Sequence, residues 1–324
     1  MSPRRKVLLR AGIAAFVVLA VGFFAYTIID AWNATNGELP SVPRLAGAAA
    51  LWAGGLTAGA FAWATLLGGS RRADHGAALL VSQLGKYVPG GVWQATGQIG
   101  LARATGVRLQ RGATAFSVLA VAQAVAGCTY GLLLAAAWTD VALPLRILMG
   151  FGAIATLPLI DRRWIVWALR KIPRTRSASA ELVPSQSVIV ITWAACLVTL
   201  AATSVAYLLM LGSFGHVSRP WLVIGAYAIA WTAGFIAIPI PSGVGVREAV
   251  LAAILHGMFP ASVVVAASVY YRLVSVATEG AMAALASHRV RPSRLAALSD
   301  NLDVGDVNGE ASSDVGAAPP ESQL

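Results

Sequence analysis

Residues 188–211 read VIVITWAACLVTLAATSVAYLLML, 24 consecutive positions without a charge. At about 1.5 Å rise per residue, a helix over this stretch outreaches the roughly 30 Å hydrocarbon layer of a bilayer. Similar apolar runs cover residues 45–67, 112–138, 141–160 and 261–286. The whole chain of 324 residues is 57% hydrophobic and 12% charged, with a mean hydropathy of +0.71. Soluble domains carry about 25% charged residues. A soluble enzyme, a disulfide scaffold and a disordered protein are thereby excluded, and the chain reads as an all-α polytopic membrane protein.

A further run, Leu8 to Ile29, follows Arg4, Arg5 and Lys6 in the manner of a signal peptide. It is too long for a typical signal core and no small-x-small site follows it, so a retained anchor is expected. Two other apolar stretches are interrupted by helix breakers. Residues 76–102 break at Val88-Pro89-Gly90-Gly91, and residues 220–258 at Pro239-Ile240-Pro241-Ser242-Gly243-Val244-Gly245. The expected architecture is about six full spans plus two Pro/Gly-broken re-entrant hairpins. The alternative is one kinked span at the first break and two tightly turned full spans at the second.

If the N-terminus is cytoplasmic and each hairpin leaves by the face it entered, 18 of the 24 Lys and Arg residues fall inside. Only Arg44, Arg146 and Arg219 fall outside. This is the positive-inside bias, and it predicts a plasma-membrane protein with both termini cytoplasmic. Trp32, Trp138 and Trp221 then mark the outer boundary, and Trp164, Trp167 and Trp193 the inner one. The segment 162–176 (RRWIVWALRKIPRTR) reads either as a helix lying on the anionic inner leaflet or as an ordinary basic loop. Six acids and no base lie between Ser299 and Leu324, so residues 295–324 read as an acidic, disordered cytoplasmic tail on a membrane domain of residues 1–294.

This topology divides the domain into halves, 1–138 and 141–294, each running span, span, broken hairpin, span, but in opposite orientation. The breaks also read alike, Pro89-Gly90-Gly91-Val92 against Pro241-Ser242-Gly243-Val244. Inverted halves with interrupted segments point to a transporter whose site lies near the midplane.

Three bases remain at membrane depth: Lys86, Arg247 and Arg272. An Arg near the centre of a span costs on the order of 2.5–3.5 kcal/mol on insertion scales, so Arg272 requires a partner. Glu279, two helical turns further on, and Glu248, across the bundle, both qualify. Arg247 and Glu248 follow the second break at the start of a half-helix from Glu248 to Leu255. Such a start offers free amides and a positive dipole end to phosphate or carboxylate. Lys86, beside Tyr87 and Trp93, precedes the first break. The three bases are expected to converge on one anionic group, with Glu248 and Glu279 neutralising them in the empty state or carrying a coupling proton.

Other features carry no such chemistry. Gly243-Val244-Gly245 has no preceding strand and lacks the third glycine of a nucleotide loop. Gly55 and Gly59 form a small-xxx-small pair for close helix packing. His75, His216, His256 and His288 read as isolated loop residues at span ends. Cys128 and Cys196 sit singly in apolar runs, without metal spacing. With no catalytic motif and no metal or cofactor signature, a non-enzymatic function without cofactors is expected.

Ser82 to Val107 (SQLGKYVPGGVWQATGQIGLARATGV) and Ile238 to Leu255 (IPIPSGVGVREAVLAAIL) resemble the flippase-like integral membrane family related to the transmembrane domain of lysylphosphatidylglycerol synthases. The likeness rests on a Gly-Lys-Tyr-x-Pro-Gly element and a Pro-x-Gly-x-Gly-x-x-Glu element, and extends over the spans, roughly residues 8 to 290. It implies movement of lipids with anionic or modified head groups, including polyprenyl-linked carriers. Lys86, Tyr87, Pro89, Gly90, Pro241, Gly243, Gly245 and Glu248 occupy the motif positions. No soluble transferase domain accompanies the spans, so aminoacyl-lipid synthesis is not implied. Substrate contacts are therefore expected from Lys86, Tyr87, Gly90, Gly243, Gly245, Arg247, Glu248, Arg272 and Glu279. The expected function is lipid translocation, with membrane lipids as partners and no nucleic acid. Small-solute secondary transport, or a non-transporting subunit beside a cell-envelope glycosyltransferase, are the alternatives.

Overall fold

The computed structural model describes residues 29–30, 32–87, 93–139, 141–171, 182–237, 243 and 245–290. Residues 8–28 of the expected anchor Leu8 to Ile29, the break residues 88–92, 238–242 and 244, residues 172–176 of the basic segment and the acidic tail lie outside them.

Ten α-helices follow one another along the described chain: α1 (Val42–Leu67), α2 (Arg72–Ser82), α3 (Trp93–Ala104), α4 (Leu109–Ala136), α5 (Leu143–Thr156), α6 (Arg162–Arg170), α7 (Gln186–Leu211), α8 (Pro220–Ile236), α9 (Val246–Leu255) and α10 (Ala261–Ser287). A 3-10 stretch, Gln83–Tyr87, continues α2, and another, Leu157–Ile160, continues α5. Five segments are long and apolar enough to cross a membrane: α1, α4, α5 with its 3-10 extension, α7 and α10. They reproduce the five expected runs at 45–67, 112–138, 141–160, 188–211 and 261–286 to within a turn. The chain is a polytopic α-helical membrane protein. Leu143, Leu148, Phe151 and Ile154 stand exposed along α5, as they do on a helix whose solvent is lipid.

Each interrupted stretch folds as two antiparallel arms. In the first, Gln94 Nε2 donates to Gln83 Oε1 at 3.1 Å, Gly97 faces Ser82, and Arg71 Nη1 reaches Thr105 O at 3.4 Å. Residue numbers rise on one arm as they fall on the other, so the two ends meet. In the second, Gly243 lies on Gly234, while Leu222 and Ile254 line one cavity at the far end. The returning arm α9 has 10 residues, about 15 Å, half of what a full span needs.

The long helices pack in a reciprocal pattern. Helices α1 and α7, both of 26 residues, cross at Gly55 and Thr199, the fourteenth residue of each. Thr199 Oγ1 donates to Gly55 O at 2.9 Å, and a Cβ at 55 would lie 3.3 Å from Thr199 O, so the small residue favours this close crossing. The first arm of one hairpin, α2, packs on α10, and that of the other, α8, packs on α4. Interchanging the halves thus maps each of these contacts onto another.

At the α4–α8 contact, Gly127, Gly131 and Gly225 allow close approach of the two helices. A Cβ at Gly127 would lie 2.2 Å from Thr232 Oγ1, which is engaged with Ala228 O at 2.8 Å. Gly127→Ala is therefore expected to cost about 1–3 kcal/mol by overpacking. Thermal unfolding in detergent checks this, and adding Thr232→Ala should restore most of the loss.

One expectation is corrected here. His75 is not a loop residue: it lies inside α2, where packing against the neighbouring helices leaves it 4% exposed. Of the two readings of the basic segment, its described part is helical: α6 runs through Arg170, with Ile165 buried in the core and Trp164 and Trp167 exposed.

Candidate functional site

Helix α10 carries two of the expected site residues, Arg272 and Glu279, on one face two turns apart. Each holds one hairpin. The Glu279 carboxylate is wholly buried and accepts three hydrogen bonds. Lys86 Nζ donates to Oε1 at 2.6 Å, Trp52 Nε1 to Oε1 at 3.1 Å, and Tyr87 Oη to Oε2 at 2.9 Å. Lys86 and Tyr87 end the first arm of hairpin one, and Trp52 comes from α1. The ammonium also lies over the rings of Trp52 and Tyr87, at 5.8 and 5.3 Å from their centroids. A buried carboxylate is tolerable only when its charge and lone pairs are matched, and here both are.

The second hairpin is tied two turns earlier on α10. Arg272 Nε and Nη2 both donate to Glu248 Oε1, at 2.9 and 2.7 Å. Glu248 Oε2 accepts the Gly245 backbone N–H at 2.7 Å. Of the two partners open to Arg272 in the sequence, the one across the bundle is the one it takes. The half-helix also begins earlier than expected, at Val246, which makes Glu248 its third residue. From there the carboxylate bends back over the helix start, the geometry of a capping box. The positive end of α9 is therefore already covered by a carboxylate of the chain itself.

Arg247 differs from the other two bases. Its aliphatic part lies along Gly234, where a Cβ would come within 2.7 Å of Cγ. Its guanidinium stacks 5.8 Å from the centroid of Trp231. Its Nε is sealed from solvent and has no hydrogen-bond partner among the described residues. Lys86 and Arg272 are each neutralised by a carboxylate, whereas no carboxylate bonds Arg247 there.

Arg247, Glu248 and Arg272 line one small cavity with Tyr207, Tyr227 and Ser268. The three bases do not converge on a single point: Lys86 sits on the Glu279 side and the two arginines on the Glu248 side. Between them lies an aromatic cluster that sequence reasoning missed. Tyr227 and Tyr271 share a 2.6 Å hydrogen bond between their hydroxyls, Tyr207 stacks on Tyr227, and Trp52 meets Tyr271 edge-on at 5.4 Å. The available signal was a set of tyrosines in mid-span, where each hydroxyl demands a partner. Gly243, expected to touch substrate, has a packing role: its Cα approaches Gly234 too closely for any side chain. Gly245 supplies both a positive φ of 84° and the N–H that Glu248 occupies. Gly90 lies outside the described residues. Among those residues, no group of three or more His, Cys, Asp or Glu is placed to hold a metal ion.

Compared with protein-family models, with curated proteins and with solved structures, the chain matches none.

Proposed function

We propose that this protein translocates a membrane lipid with an anionic head group, binding that group at the arginine cavity that the second hairpin forms with α7 and α10. The observation that carries the reading is Arg247, a guanidinium at membrane depth with no carboxylate on it. Such a charge is costly unless a ligand answers it. The reciprocal contacts of the two halves support an inverted repeat, and the short antiparallel arms support hairpins that re-enter the face they left. The exposed Trp164 and Trp167 and the bases of α6 support a surface helix on an anionic leaflet. The head group is held by Arg247 and Arg272 while the hydrophobic chains stay in lipid.

Native mass spectrometry of the purified chain tests this. Wild type is expected to retain a phosphate-bearing lipid, and Arg247→Gln to lose it at least tenfold, about the value of one charge-assisted hydrogen bond. Equal retention by both proteins, or no lipid on either when both are folded, rejects the reading.

One observation favours a second reading, small-solute secondary transport. The cavity is narrow, and Glu279 is a fully enclosed acid of the kind that can exchange a coupling proton. Uptake of a water-soluble anion into vesicles, lost in Glu279→Gln, would favour it over lipid movement.

A further inference from the structure

The Glu248 carboxylate has the contacts that a bound anion would have. It takes two guanidinium donors from Arg272 and a backbone N–H from the start of a 10-residue helix, the set that recognises oxyanions. It faces the same cavity as Arg247, yet no hydrogen bond joins it to Arg247. A carboxylate has two oxygens, and here one is spent on Arg272 and the other on Gly245. The donor set has a third member, and Glu248 has no third oxygen to give it.

We infer that Glu248 is an internal stand-in for the ligand, and that the ligand displacing it is a phosphate monoester. Such a group carries three terminal oxygens, one for Arg272, one for the Gly245 N–H and one for Arg247. A phosphodiester or a carboxylate has only two. A monoester at neutral pH is also close to a dianion, which balances the two arginines once Glu248 has swung away. The side chains of Arg272 and Glu248 are 18% and 16% exposed, so an incoming group meets the pair from its open side. Because the carboxylate competes for the same donors, the empty site closes on itself, and no buried arginine pair is left facing only lipid. The inference rests on the proposed anion site, and it adds the class of the anion and its regulation.

Calorimetric titration of the full chain in detergent micelles, with methyl phosphate, dimethyl phosphate and acetate as probes, tests the inference. Wild type is expected to bind methyl phosphate at least tenfold more tightly than the other two, the value of one further charge-assisted contact. Glu248→Gln keeps the shape but replaces one acceptor oxygen by a donor, so it is a poorer internal ligand. It should bind methyl phosphate about tenfold more tightly than wild type, and adding Arg247→Gln should remove that gain. Equal binding of the three probes by wild type would overturn the inference even if the variant did not fold. Weaker or unchanged binding by folded Glu248→Gln would overturn it as well. A second arm compares nanodiscs containing phosphatidic acid with nanodiscs containing phosphatidylglycerol. Preference for methyl phosphate in solution with no preference for phosphatidic acid would leave the stand-in role intact and assign the monoester to a soluble solute, against the lipid reading.

Discussion

Glu279→Ala is expected to destabilise the protein by about 3–5 kcal/mol, the cost of breaking a buried ion pair by removing one partner. Three donors lose their acceptor at once: the Lys86 ammonium, the Tyr87 hydroxyl and the Trp52 indole. The ammonium is the largest of these losses, because it is the charge that the buried carboxylate balances. Glu279→Gln should cost less, since an amide oxygen still accepts from one donor. Denaturation in detergent micelles measures these losses. The diagnostic comparison is the double variant Lys86→Met with Glu279→Leu. Removing both charges leaves no buried ammonium uncompensated, only the neutral Tyr87 and Trp52 donors, so it should be markedly more stable than Glu279→Ala alone. If the effects of the Lys86 and Glu279 substitutions simply add, the pair does not hold hairpin one to α10.

Gly243→Ala should be nearly as damaging, for reasons of backbone rather than charge. Gly243 has a φ of 62°, which costs a side-chain-bearing residue about 1–2 kcal/mol. Its Cβ would also lie 2.7 Å from Gly234 Cα and 2.9 Å from Gly234 O. Neither atom can rotate away, so the arms of hairpin two must part, and a total loss of about 3 kcal/mol or more follows when overpacking is added to strain. Gly245→Ala is the control: its φ of 84° imposes similar strain, but nothing stands within 4 Å of the added carbon. The gap in melting temperature between the two variants therefore isolates the close approach. Equal melting temperatures would show that the arms do not need that contact. Parting the arms also unseats Arg247 from Gly234, so Gly243→Ala should lose bound ligand while Gly245→Ala keeps more of it.

How much of the site was legible differed residue by residue. Lys86, Arg247, Arg272, Glu248 and Glu279 could be named from the sequence because a charge inside an apolar run has few explanations. Their pairing could not. Glu279 lies on the same helix face as Arg272, so local spacing nominates it as the partner. The fold instead brings Lys86 from residues 193 positions away and gives Arg272 to Glu248. Tyr207, Tyr227 and Tyr271 gave only a diffuse signal, because a tyrosine in a span is as ordinary as a leucine until its hydroxyl is seen to meet another. His75 was misread because a histidine near the end of an apolar run looks solvated when the helix packed over it is unknown.

The sequence by itself determined the solvent and the element boundaries. Uninterrupted apolar runs have one stable environment, and within it a backbone must satisfy its own hydrogen bonds, so helices and their lengths follow from local composition. The Pro/Gly interruptions likewise marked where helices stop. Only the tertiary structure decided which charges cancel and which is left over. Partner choice among five ionisable groups depends on distances of a few ångströms between elements far apart in the chain. Coulomb energies at low dielectric change by several kcal/mol over such distances. That is why Arg247, and not Lys86 or Arg272, is the one of these three bases whose side chain meets no carboxylate among the described residues.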